Sequence, residues 1–144
     1  MNSFNDIKKN AKDSIVIQLS AIQNISASIN DDFVGAVNLI MRAEGRLIVS
    51  GIGKSANIAN KLVATFNSTG QPAIFLHAAD AIHGDLGNIQ DGDVVMCISK
   101  SGNTPELKAL IPFIKAMGNK IIALTGTPIQ KDQKIASLVV SDKD

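Results

Sequence analysis

Asp93-Val94-Val95-Met96-Cys97-Ile98 runs directly into Ser99-Lys100-Ser101-Gly102-Asn103-Thr104-Pro105-Glu106. After Asp93 the first stretch is short, apolar and rich in β-branched residues, the pattern of a strand buried on both faces. The second places hydroxyls, a glycine and a proline where a helix over residues 106–117 begins. A helix start leaves four N–H groups without intrahelical partners and carries the positive end of the macrodipole. Three hydroxyls and a glycine beside such an end make a seat for a phosphate oxyanion.

A second junction has the same form. Arg46-Leu47-Ile48-Val49-Ser50 precedes Gly51-Ile52-Gly53-Lys54-Ser55, which adds a cation. Outward from these two, strands are predicted at 47–50, 73–76, 94–98, 121–125 and 138–140, with helices at 55–68, 79–83, 106–117 and a short one near 130–135. Apolar strands alternating with helices predict an α/β fold, a doubly wound five-stranded parallel sheet covered by helices on both faces, with right-handed crossovers. In such sheets ligands sit beyond the carboxyl ends of the strands, where strand order reverses. Both junctions are at carboxyl ends, so the two are expected to share one ligand.

The chain opens differently. Residues 6–29 lack Gly and Pro, and Ile15, Leu19, Ile22, Ile25 and Ile29 recur every three or four positions, predicting a long helix with one apolar stripe. Asn30, Asp31 and Asp32 cap a second helix over 33–44, which Gly45 is expected to end in the left-handed position. No repeat, low-complexity tract or linker interrupts the 144 residues, so 1–144 read as one domain with this helical opening included.

Composition narrows the ligand. A formal charge of +1 gives no global field for nucleic acid or membrane, and five Phe with no Trp or Tyr leave few stacking platforms for bases or sugars. A small sugar phosphate held by hydrogen bonds fits these limits. The single Cys97 lies inside an apolar run and reads as a buried strand residue. No signal leader and no span of about 18 apolar residues is present, so the cytoplasm is the expected location.

Rival readings of the motifs fail at particular residues. Gly51-x-Gly53-x-x-Ala56 has the loose dinucleotide pattern, but His77 stands where an acidic residue should close the second strand. Gly53-Lys54-Ser55 ends like a P-loop, yet the leading glycine falls on Ile48. A structural turn with Ser55 as helix cap accounts for the glycines, though not for Lys54, a cation in a first turn where the dipole opposes it. Glu106 sits three residues after Asn103 as in a capping box, so a cap alone would explain it. Lys100 is open between phosphate and solvent. His83, in the His83-Gly84-Asp85-Leu86-Gly87 loop, is of interest as an acid or base near neutral pH, and with His77 it makes a poor zinc pattern.

Taken together, residues 51–55, the Thr65-Phe66-Asn67-Ser68-Thr69-Gly70 segment, the His83 loop and the Ser-x-Ser-Gly-x-Thr-x-Glu motif resemble the sugar isomerase (SIS) domain family, most of all its arabinose 5-phosphate isomerases. That resemblance implies a flavodoxin-like strand arrangement, homo-oligomers with sites near subunit interfaces, no cofactor and no metal. It also implies interconversion of D-arabinose 5-phosphate and D-ribulose 5-phosphate. Substrate-binding positions fall on Gly53, Ser55, Ser99, Ser101, Gly102 and Thr104, and catalytic ones on Lys54, His83 and Glu106. The family continues past the fifth strand with a helix and further site residues, often followed by CBS modules, which this sequence lacks. The expected function is therefore aldose-ketose isomerisation through an enediol. Its rivals are a non-catalytic sugar-phosphate sensor, since SIS domains also occur in regulators, and an isomerase of another sugar phosphate.

Overall fold

Four apolar runs form strands β1 (Leu47–Gly51), β2 (Ala73–His77), β3 (Val94–Ser99) and β4 (Lys120–Thr125); β5 (Pro128–Gln130), β6 (Gln133–Ile135) and β7 (Leu138–Ser141) follow. The computed structural model describes residues 4–26, 29–126, 128–130, 133–135 and 138–141. Every position of β1 and β3 is buried, as central strands of a sheet covered on both sides must be. Parallel pairing sets Leu47 beside both Ala73 and Val94, and Val94 beside Lys120. The sheet order is β2-β1-β3-β4-β7, so the chain moves from β1 to one side and then crosses to β3 on the other. Strand order reverses between β1 and β3.

Alternation along the strands feeds two cores. Leu47, Val49, Val94 and Met96 face α2 (Asp31–Met41) and α3 (Lys54–Ser68), where Ala36, Ala59, Leu62 and Phe66 meet them. Ile48, Val95 and Cys97 face α4 (Ala78–Ile82) and α5 (Pro105–Ala116). On α5, Leu107, Leu110 and Ile114 recur at three and four residues and are all buried, the single stripe a surface helix needs. Burying side chains of this size contributes about 1.5–3 kcal/mol each.

The amino ends of three strands are tied by one polar cluster. The Asp93 carboxylate accepts hydrogen bonds from the Arg46 N–H (2.6 Å), the Arg46 guanidinium (3.0 Å) and the Gln90 N–H (2.9 Å). Arg46 also donates to the Asn88 carbonyl, and the Asn119 amide donates to the carbonyls of Gln90 and Asp93. Burial pushes the Asp93 carboxyl up, but the hydrogen bonds from Arg46 and Gln90 and the Arg46 charge outweigh it and hold the group below its ordinary value.

Several expectations need correction. The fifth strand of the sheet, β7, takes the predicted edge place but runs antiparallel to β4. The reason lies in its connection: the helix predicted near 130–135 is instead a hairpin of β5 and β6, and a parallel return needs a longer, usually helical crossover. The second helix stops at Met41, and Gly45 does not adopt a positive φ. Small size is what Gly45 supplies, since a Cβ there would come 2.5 Å from an Asp93 carboxylate oxygen. Met1–Asn30 and Asp31–Asp144 form two compact units. In the first, α1 spans Phe4–Ile25, ending before residue 29, and the Ser26 hydroxyl donates to the Gln23 carbonyl in the way that competes with helix continuation.

Candidate functional site

β1 ends on Gly51, and α3 begins three residues later at Lys54. That short connection needs two different glycines. A Cβ on Gly51 would lie 3.1–3.2 Å from backbone and side-chain atoms of Ser55 and Ala56, so only glycine lets the first turn pack onto the strand end. Gly53 has φ 58°, the left-handed conformation, and no side chain caps the helix behind it. Lys54 is exposed in this uncapped first turn and Ser55 is half-buried. Among the described residues no carboxylate pairs with Lys54.

β3 ends on the buried Ser99 and leads into α5 through a turn with Gly102 at φ 66°. Thr104 is the N-cap residue and Pro105 opens the helix, where its missing N–H is no loss. The Thr104 hydroxyl does not cap; it is hydrogen-bonded to the Ser99 hydroxyl at 2.7 Å. Ser101 Oγ accepts the Asn103 N–H at 3.2 Å. Each hydroxyl has one proton, so the Ser99–Thr104 pair retains one O–H for a ligand and Ser101 retains another. The turn thus combines two available O–H donors with the N–H groups of an uncapped helix start. Glu106 is half-buried in the first turn of α5, and no Asn103–Glu106 capping contact occurs among the described hydrogen bonds.

Because β1 and β3 are hydrogen-bonded neighbours, the roots of the two junctions lie about one strand spacing, roughly 4.8 Å, apart. Their helices leave toward opposite faces of the sheet, α3 to one core and α5 to the other. Both positive helix ends therefore stand at the carboxyl ends of adjacent strands, where strand order reverses. Gly53, Lys54, Ser55, Ser99, Ser101, Gly102, Thr104 and Glu106 lie on these two neighbouring junctions.

His83 lies beyond β2, the strand next to β1. It is the C-cap residue of α4, exposed, and among the described residues no hydrogen bond or ion pair links it to Lys54 or Glu106. His77 ends β2, edge-on to Phe75, with Nδ1 3.5 Å from an Asp80 oxygen and no hydrogen bond at that nitrogen. No group of three or more His, Cys, Asp or Glu side chains suited to a metal occurs among the described residues. Cys97 is buried, and burial pushes its thiol up to about 12, so it is a core group and not a nucleophile. No helix among the described residues is long and apolar enough to cross a membrane.

The Thr65–Gly70 motif has a structural role. Asn67 brackets Ala73 with two hydrogen bonds, its amide donating to the Ala73 carbonyl and its oxygen accepting the Ala73 N–H, both at 2.9 Å. That clamp turns the end of α3 into β2. Sequence reasoning did not single out Thr125 and Gly126, which lie at the same carboxyl crest because Thr125 pairs with Ser99. The signal available was a hydroxyl followed by glycine at the end of a third strand. A cleft of about 260 Å³ bordered by Arg42, Glu44, Asp91, Asn119 and Lys120 opens at the opposite, amino end of the strands, away from this constellation.

Comparison with known proteins identifies the family to which the fold belongs. The SIS domain model matches residues 40–140. A probable arabinose 5-phosphate isomerase of Haemophilus influenzae is 50% identical over 117 residues, covering 81% of this chain and 35% of that protein. Arabinose 5-phosphate isomerase KdsD of Pseudomonas aeruginosa is 42% identical over 123 residues, covering 85% and 38%. The chain thus spans about a third of the length of these curated relatives. The structure of E. coli CFT073 c3406 in complex with arabinose 5-phosphate superposes with a TM-score of 0.83 at 36% identity, over 92% of this chain and 69% of that one. With its SIS match, the parallel pairing of strands β1 through β4 and its paired strand-to-helix junctions, the chain belongs to the SIS domain family.

Proposed function

We propose that this chain forms the sugar-phosphate site of an aldose-ketose isomerase that interconverts D-arabinose 5-phosphate and D-ribulose 5-phosphate. The observation that carries the proposal is the pair of uncapped helix starts on neighbouring strands, with a cation at one and free hydroxyl protons beside a carboxylate at the other. Its relatives' names and the sugar-phosphate complex of a protein 36% identical to it support the choice of substrate.

Phosphate is held by Ser55, Ser99, Ser101 and Thr104 together with the N–H groups around Gly53 and Gly102. Anchoring the remote phosphate fixes the reacting carbons and so lowers the entropic part of the barrier. Glu106 removes the C2 proton of the open-chain aldose, leaving an enediol, and a proton is returned to C1 to give the ketose. Charge that develops on the carbonyl oxygen is met by the Lys54 ammonium. His83 assists ring opening or proton shuttling, from this chain or a neighbouring copy. The reading also makes the protein a cytoplasmic homo-oligomer, dimer or tetramer, that needs no cofactor.

Ser101→Ala tests the phosphate site. It removes one of the two free O–H donors without touching the core, and a charge-assisted hydrogen bond of this kind is worth about 1.5–3 kcal/mol. Calorimetric titration with arabinose 5-phosphate should show affinity about 10- to 100-fold weaker at an unchanged melting temperature. Wild-type affinity in the variant removes that hydroxyl from the site.

A further inference from the structure

We propose that Gly126 is a positioning residue for the phosphate, acting through the peptide group that joins Lys100 to Ser101; the proposal rests on the phosphate reading of the Ser99–Thr104 turn. Ser99 and Thr125 pair across β3 and β4, so Lys100 and Gly126 are the next residues to leave two adjacent strands. A Cβ on Gly126 would lie 3.2 Å from the Lys100 carbonyl oxygen and 3.5 Å from Lys100 Cγ. Gly126 is exposed and its φ is outside the left-handed region, so neither core packing nor backbone conformation calls for glycine there. What calls for it is the close approach of Lys100.

That carbonyl belongs to the same planar unit as the Ser101 N–H, which points the opposite way. Moving the oxygen by a few tenths of an ångström tilts the N–H with it. Among the described hydrogen bonds the Ser101 N–H has no partner, whereas Gly102 N–H donates to Ser99 and Asn103 N–H to the Ser101 hydroxyl. Gly126 therefore keeps a free amide of the anion cradle aimed by leaving room behind its peptide.

The test uses this chain in isotope-labelled form, titrated with inorganic phosphate and separately with arabinose 5-phosphate. In the wild type the Ser101 amide resonance should move on titration with either anion. Gly126→Ala should weaken both by a similar factor of about ten, the scale of spoiling one charge-assisted bond, with the melting temperature little changed. A wild type that binds neither anion overturns the phosphate reading and this inference with it. Binding with an unmoved Ser101 amide, or a Gly126→Ala variant that binds within twofold of wild type, overturns the role of Gly126 and leaves the phosphate reading standing.

Discussion

Glu106→Gln lowers isomerase turnover by about 10²-fold or more while sugar-phosphate affinity stays within a few fold, the signature of losing a positioned proton-transfer group. The residue is half-buried in the first turn of α5, two positions after Thr104, whose hydroxyl is bonded to that of Ser99. A glutamine keeps its shape and can still hydrogen-bond, but cannot take a proton from carbon. The variant loses a carboxylate that favours the helix start, which costs about 0.3–1 kcal/mol of stability. That small loss separates the two roles: a helix cap predicts reduced stability with full turnover, and a base predicts the reverse weighting. Steady-state kinetics beside a melting curve reads both.

Asp93→Asn lowers stability by about 2–4 kcal/mol, because it leaves the Arg46 guanidinium without its buried carboxylate and breaks the cluster that ties β1, β3 and β4. For a chain of this length the melting temperature falls by about 6–12 °C. The pH dependence has a definite sign. The folded-state carboxyl of Asp93 is held below its ordinary value of 3.8, so its contribution is complete above that value and is lost as pH falls through the folded-state value. Wild type and variant should therefore differ most near neutral pH and converge in acid. Denaturant melts from about pH 7 down to about pH 3 check this. A constant difference across that range would show that the Asp93 charge contributes nothing. Sugar-phosphate affinity should be unaffected, since the cluster stands at the other end of the strands.

β1 and β3 were legible because short apolar runs, 47–49 and 94–98, each followed by a serine and a glycine-bearing turn, are too short for a helix. The start of α5 was legible from Thr104, Pro105 and Glu106, each suited to its position in a first turn. The direction of the fifth strand was not, because nothing in the polar stretch 128–135 separates a short helix from a hairpin, and that choice decides whether the next strand returns parallel. The Arg46–Asp93 pair spans 47 positions and depends on strand order, which local pattern does not carry. At the site, residue types and their junctions were readable, while the Ser99–Thr104 hydroxyl bond and the Lys100–Gly126 approach were not. Both arise from the path of a turn between strands whose pairing is known only once the sheet is assembled.

The most direct test of the central claim is proton NMR of arabinose 5-phosphate incubated with this chain in D₂O. Proton abstraction at C2 predicts that the C2–H signal of the sugar decays through exchange with solvent as ribulose 5-phosphate appears, and that both changes slow together in Glu106→Gln. A sugar phosphate that binds, shown by shifts of the Ser99–Thr104 amides, but keeps its C2–H signal and gives no ketose would contradict the isomerase reading and make the site a binding pocket alone.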